Sequence, residues 1–305
     1  MPSHPIVAVV GATATGKSDL ALELAEALDG EIVNADASQL YRGMDIGTAK
    51  LKPKQRRGIP HHQLDVLDVT QEASVAAYQR DSRADLTAIR ERGRVPILVG
   101  GSGLYLRAAL DVLEIPPTDP AVRGRLEQEL DERGSQALHA RLEQQDPQAA
   151  AAILPTNGRR IVRALEVIEL TGRPFSATMP RREYAEPTVT IGLTADPAAL
   201  DQRIAARTEQ MWRDGLLDEV KSLVPQGLRA GRTASRAIGY QQALQQLDGD
   251  FTEREAIEQT TAATRRLVRR QGSWFRPDPR IHWLPAGAAD LRELALAIVR
   301  QEQRQ

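Results

Sequence analysis

Cysteine is missing from all 305 residues. That absence excludes disulfides, thiolate zinc sites, iron–sulfur clusters and a cysteine nucleophile together. Long apolar runs are missing too, since no stretch approaches the ~20 residues that a membrane helix needs. The opening MPSHPIVAVV has no cationic lead and no apolar segment of signal length, so a cytoplasmic protein without a membrane partner is expected. The formal net charge is only −1, so no global field marks an acidic partner, and any nucleic-acid surface must be a local patch. Internal repeats and low-complexity tracts are absent as well. Lysine is scarce: of 40 basic residues only Lys17, Lys50, Lys52, Lys54 and Lys221 are not arginine.

What is present belongs to a globular protein. Hydrophobic content of 41% and charged content of 27% are ordinary, and the length suits one main domain plus an insertion. Ile6–Val10 reads as a buried strand, Ser18–Leu28 as a helix, Glu31–Ala35 as a second strand and Ser74–Arg92 as a helix. Val95–Val99 is a third strand, closed by Gly100 to Gly103. Strands alternating with helices predict a parallel sheet with crossover helices, whose ligands gather beyond the carboxyl ends of the strands. Residues 11–18, 36–39 and 100–103 all stand at such ends and should converge.

From Ile115-Pro116-Pro117 the pattern changes to helices only: Val122–Arg133, Gln136–Gln144, Pro147–Ile153 and Gly158–Thr171. Strand character returns at Thr188–Leu193, then a long helix capped by Asp196-Pro197, further helices to Phe275, a strand Ile281–Leu284 and a last helix. The reading is an α/β core over 1–115 and 187–305, with a helical insertion over 116–186.

Gly11, Ala12, Thr13, Ala14, Thr15, Gly16, Lys17 and Ser18 fit G-x-x-x-x-G-K-[ST] between a strand and a helix. Gly11 and Gly16 let backbone N–H groups turn toward one anion, and the helix adds its positive end. A slender ammonium at Lys17 fits among phosphate oxygens where a guanidinium would not. The Ser18 hydroxyl would ligate Mg²⁺. The motif leaves open what the phosphates are attached to. Asp36 stands at the next strand end, where its charge would repel a bound anion. That placement argues for a task, as general base or as a ligand to Mg²⁺ through water, although an Asp capping the next turn is the bland alternative. Gln39 offers an amide suited to a base edge, or is a solvated loop residue.

GATATGKS, DASQLYRGMDIGTAK, IPHHQLDV, VPILVGGSGLYLRA, RALEVIELTGRP and RAIGYQQAL resemble, in order, segments of the tRNA dimethylallyltransferases. The resemblance runs from about residue 6 to residue 276. It implies a P-loop NTPase-like parallel sheet flanked by helices with an inserted all-helical domain. It also implies a prenyl transferase that moves a dimethylallyl group from its diphosphate, with Mg²⁺, onto N6 of an anticodon-adjacent adenosine in tRNA. Asp36 would then take the proton from the attacking amine, and Lys17 and Arg207 would hold the diphosphate. From sequence alone, Arg207 is one of many arginines on an exposed helix. The family usually has Ser directly after the Asp, whereas this chain has Ala37 and then Ser38, so that hydrogen bond falls to Ser38 or a water. Ser102 replaces the Thr of the family's GGTG turn.

The same resemblance assigns tRNA contact to Asp36, Ala37, Ser38 and Gln39, to Ser102 and Gly103, and to Gly124. It extends to Arg159, Arg160, Ile161, Val162 and Arg163, to Arg236, Ala237, Ile238, Gly239, Tyr240 and Gln241, and to Arg269, Arg270, Gln271, Trp274 and Arg276. One of these stretches can be judged on its own. Arg265, Arg266, Arg269 and Arg270 fall within an arc of roughly 140° on a helix, opposite Leu267, Val268, Trp274 and Phe275. Such a row suits phosphates, or it is a solvated face paired with Glu253, Glu255 and Glu258. His61 and His62 lack a third ligand at metal spacing and read as structural. A monomer without an obligate protein partner is the default. Three alternatives remain: a kinase of adenylate-kinase type, an enzyme that prenylates free adenine nucleotides, and an RNA-binding module with a vestigial phosphate loop.

Overall fold

The protein is described by a computed structural model over residues 4–178 and 182–303; residues 1–3, 179–181 and 304–305 lie outside it. In chain order the elements of the first half are β1 (Ile6–Gly11), α1 (Lys17–Leu28), β2 (Gly30–Asn34), β3 (His61–His62), α2 (Val75–Glu91), β4 (Val95–Gly100) and α3 (Gly103–Leu110). Then come α4 (Pro120–Gln145), α5 (Pro147–Ala152), α6 (Gly158–Thr171), β5 (Thr188–Thr194) and α7 (Pro197–Arg213). The chain closes with α8 (Leu216–Leu223), α9 (Tyr240–Leu247), α10 (Glu253–Phe275), β6 (Ile281–Pro285) and α11 (Leu291–Glu302).

The sheet runs β3-β2-β4-β1-β5-β6, and every pair is parallel. β1 is central because all six of its residues are buried, the mark of a strand covered on both faces. It pairs Val7 with Ile97 on one side and with Val189 on the other. Val7, Val9, Ile32, Ile97, Ile191 and Leu193 form one core with Leu20 and Leu24 of α1 and Val299 of α11. A second core joins Tyr41 and Met44 to Trp212, Leu216, Val220 and Tyr240, so the loop after β2 packs on α7, α8 and α9.

The structure differs from the sequence reading in two places, one strand and one boundary. The two-residue strand β3 was not expected, because a two-residue edge has no periodicity to read. The two helices expected at 122–133 and 136–144 are both present and meet at Gly134, whose φ of 79° and ψ of 162° are not helical. The chain divides into a unit of residues 1–110 and 184–305 and a unit of Asp111–Glu183, where the sequence reading had set the insertion at 116–186. The Val112 N–H donates to the Glu183 carbonyl, and Arg163 donates to the carbonyls of Pro116 and Pro117. Those bonds tie the entering strap into the helical unit. Leu126, Leu138, Leu142, Ile161 and Leu165 give that unit a core of its own.

Candidate active site

The loop between β1 and α1 has the geometry of an anion cradle. Gly11 has φ of 146°, and a Cβ there would sit 2.9 Å from the Leu193 carbonyl, so only glycine fits. Gly16 is left-handed at the N-cap of α1. The N–H groups of Lys17, Ser18 and Asp19 form the first turn of α1 and have no partner inside the helix. Thr15 Oγ1 and Lys17 Nζ both donate to the Ala12 carbonyl, at 2.8 and 2.6 Å. Gln271 of α10 clamps the cradle from behind. Its Oε1 accepts from the Thr13 N–H at 2.9 Å, and its Nε2 donates to the Gly101 carbonyl at 3.1 Å.

Asp36 follows β2 and caps a short 3₁₀ turn, Ala37–Leu40. Its Oδ1 accepts from the Ser38 N–H at 2.9 Å; Oδ2 has no partner among the described residues. The capping alternative thus takes up one oxygen only and leaves the other open. Ser102 reaches the same turn, with its Oγ accepting from the Ala37 N–H at 3.4 Å, and Ser102 N–H donates to the Ala35 carbonyl. The ends of β1, β2 and β4 thus converge, as expected. Lys17 and Arg207 both interact electrostatically with Asp36. Burial lowers the Lys17 ammonium to about 8; Asp36 opposes that shift and Arg207 adds to it. Burial also lowers Arg207, again against Asp36. Arg207 is therefore a part-buried member of this cluster rather than one of many surface arginines.

Several residues of this cluster carry no signal in the sequence. Asn34 bonds to the backbone of Asp36. Tyr78 donates to the Asn34 carbonyl at 2.8 Å and stacks on Tyr105 with ring centroids 4.5 Å apart. Burial pushes the Tyr105 hydroxyl up to about 12, with Tyr41 and Asp36 adding to it. Buried Lys50 donates to the Tyr41 carbonyl and to Asp45 and Asp65 at 2.6–2.7 Å, which pins the loop after Asp36. His61 and His62 are structural, as read: His62 bonds to Glu31 and His61 to the Ile59 carbonyl.

The residues assigned to tRNA divide by burial. In the larger unit, Arg236, Gln241, Arg269, Arg270, Trp274 and Arg276 are exposed. Ala37, Ser38, Gln39, Ala237 and Ile238 are half-buried, and Gln39 Nε2 donates to the Thr48 carbonyl. Gly239 is buried with φ of 91°. Two side chains are corrected. Tyr240 is fully buried, with its hydroxyl on Glu219, whose other oxygen accepts from the N–H groups of Asp45 and Ile46. Gln271 is 6% exposed and faces the phosphate loop, not solvent. Both came with whole stretches carried over by resemblance, which says nothing about which side chains of a stretch turn inward.

Trp274 departs from the apolar side assigned to it. It is 39% exposed, lies against Gly103 and has the Arg107 guanidinium 5.3 Å from its ring. Arg265 forms an ion pair with Asp201 at 3.5 Å rather than with Glu253, Glu255 or Glu258. Arg266, Arg269 and Arg270 have no carboxylate partner among the described residues and line an open groove with Ser273. On the other side of this helix, Arg265, Val268, Phe275 and Trp283 line a cavity of about 490 Å³ against Gly11 and Ala12.

In the helical unit, Gly124, Arg159 and Arg160 are exposed, whereas Ile161 and Val162 are corrected to core residues at 0% and 3% exposure. On α6 they face away from the arginines. Arg163 is half-buried and bound to Glu166 and the Pro116 carbonyl, so it braces the unit.

Three comparisons bear on this arrangement. A family model described as IPP transferase matches residues 39–278. The chain is 62% identical over 293 residues to a tRNA dimethylallyltransferase of Streptomyces avermitilis, covering 96% of this chain and 94% of that one. It is equally similar, at 62% over 299 residues, to one of Thermobifida fusca, with the same coverage. Among solved structures it resembles the full-length tRNA isopentenylpyrophosphate transferase of Bacillus halodurans, at TM-score 0.71 and 39% identity, covering 99% of this chain and 98% of the other. A eukaryotic dimethylallyltransferase described as acting on tRNA aligns at TM-score 0.81 and 27% identity, over 97% of this chain and 78% of that one.

Proposed function

The chain belongs to the IPP transferase family, and from that membership we propose that it transfers the dimethylallyl group of dimethylallyl diphosphate to N6 of the adenosine next to the anticodon of tRNA (position 37), releasing diphosphate. The observation that carries this reading is the gathering of Asp36, Lys17 and Arg207 at the mouth of the phosphate loop. In that chemistry N6 attacks the allylic C1 while the C1–O bond breaks. The bonding pair leaves with the diphosphate, and the N6 proton passes to Asp36 Oδ2. Oδ1 is held by the Ser38 N–H, so the free oxygen has one direction to face.

The leaving diphosphate gains charge as the bond breaks. Loop N–H groups, Lys17 and Arg207 would stabilise that gain, which is absent from the bound ester and develops in the transition state. No covalent enzyme intermediate is required, because the allylic carbon is already electrophilic. An adenine stacked in an anticodon loop must leave the stack to reach a recessed carboxylate, and the exposed arginines of α10 suit the backbone that delivers it.

Magnesium fits the residues present. No group of three His, Asp or Glu side chains gathers among the described residues. The donors on offer, the Ser18 hydroxyl directly and an Asp36 oxygen through water, are the hard oxygens that suit Mg²⁺ together with substrate phosphates. When bound it would neutralise diphosphate charge. The family membership speaks against the kinase and non-catalytic alternatives, and the names of the relatives favour tRNA over a free nucleotide as acceptor. With tRNA as acceptor, the cytoplasm is the compartment this reading assigns; no described helix is long and apolar enough to cross a membrane.

The test is incubation with labelled dimethylallyl diphosphate, Mg²⁺ and unmodified tRNA, then digestion to nucleosides. Label in an N6-prenylated adenosine is expected. Label in free adenine nucleotide alone, or phosphoryl transfer from ATP, overturns the proposal.

A further inference from the structure

Asn34 is the last residue of β2 and only 4% exposed, yet nothing in its own strand requires a polar side chain there. The sheet ladder ends one residue later, with the Ala35 N–H on the Val99 carbonyl. The peptide of Asp36 lies beyond that ladder, and the Asn34 carboxamide takes the place of the missing strand. Oδ1 accepts from the Asp36 N–H at 3.0 Å, and Nδ2 donates to the Asp36 carbonyl at 3.0 Å. The second Nδ2 hydrogen goes to the Gln63 carbonyl at 2.9 Å, on a residue held at φ of 57°. A primary amide has two donors and one acceptor oxygen, so both donors are used. Its orientation is fixed, because the flipped amide would set its oxygen against two carbonyls.

We propose that Asn34 is the positioning residue for Asp36: its carboxamide holds the peptide of Asp36 from both sides, so that the carboxylate projects into the site at one angle. This rests on the reading of Asp36 as the proton acceptor. The requirement is specific to a carboxamide. A carboxylate could accept from Asp36 but not donate, and an apolar side chain could do neither. The Asp36 carbonyl is also bonded by the Gln39 N–H at 3.2 Å, so the turn itself survives loss of Asn34 while the angle at which it leaves β2 does not. Tyr78 fixes the backbone of Asn34 through its carbonyl, and the carboxamide passes that rigidity on to Asp36.

The test compares Asn34→Asp and Asn34→Ser in the full chain, under single turnover with both substrates saturating. Asn34→Asp is isosteric; Asn34→Ser retains an acceptor and guards against a variant that fails to fold, with thermal melting as the check. A misplaced base costs about 10–100-fold in rate, and that loss is expected in the rate at saturation. Donor KM and tRNA Kd should stay within about 3-fold of the parent, since both amide hydrogens and the amide oxygen of Asn34 are spent on backbone groups. In an Asp36→Asn background, followed over long incubations, a change at Asn34 should add nothing further. Unchanged single-turnover rates in folded variants overturn the proposal, as does a loss confined to KM, or a full additional loss on top of Asp36→Asn. If Asp36→Asn alone keeps the parental rate, the reading of Asp36 fails first, and the role of Asn34 falls with it.

Discussion

Lys17 shows most directly what one residue contributes. Its ammonium is lowered to about 8, chiefly because burial disfavours the charge, so in the free enzyme the cation is lost as pH rises through about 8. A bound diphosphate favours the charged form, so the complex holds that proton more tightly than the free enzyme does. Donor affinity is therefore fully present below about pH 8 and falls above it, by as much as tenfold per pH unit. Donor KM measured from neutral pH upward should show this break, and Lys17→Ala should raise KM at neutral pH and abolish the break. A break that persists in Lys17→Ala would assign the titration to another group. Lys17 was legible in the sequence because the loop that holds it is eight consecutive residues.

At the scale of an element, α10 serves two sides at once. Thr252 and Glu255 form a reciprocal cap at its start. Ala256, Thr260, Ala263, Gln271 and Phe275 make its buried face, and Arg266, Arg269 and Arg270 its outer one. Gln271→Leu leaves the Thr13 N–H and the Gly101 carbonyl without their partner, at about 1–3 kcal/mol for each group that stays buried. We expect donor KM to rise several-fold with tRNA affinity unchanged, checked by steady-state kinetics beside filter binding. Replacing Arg269 and Arg270 together by Ala should do the reverse. It should weaken tRNA binding and flatten the plot of log affinity against log salt by roughly 1.5–2, with donor KM unchanged. The arginine row was legible as a helical arc; the inward glutamine among those arginines was not.

At the scale of the whole molecule, the chain carries separate cores for its two units. Ile161→Ala removes buried volume from the helical unit and should destabilise it by about 2–5 kcal/mol. Arg159→Ala and Arg160→Ala, immediately before it on the same helix but exposed, should leave the melting temperature unchanged while lowering tRNA affinity. Differential scanning calorimetry and filter binding on the three variants separate these effects. A stable Ile161→Ala protein would contradict the core placement.

Local chemistry was written into the chain itself. The phosphate loop, the cap at Asp196 and the helical arcs depend on residues within a turn or two of one another, and spacing is enough to read them. Asp36 could be singled out because a strand end beside an anion is a place in sequence as well as in space. Folding alone made Asn34, Gln271 and Lys50 partners of that site. Gln271 meets Thr13 across 258 positions, and no periodicity reaches that far. Burial of Tyr240 and Ile161 came from packing against distant helices, which competes with any surface role a local pattern suggests. The physical reason is range: hydrogen-bonding and helical periodicity act over a few residues, whereas desolvation and charge proximity depend on which remote segments close over a group.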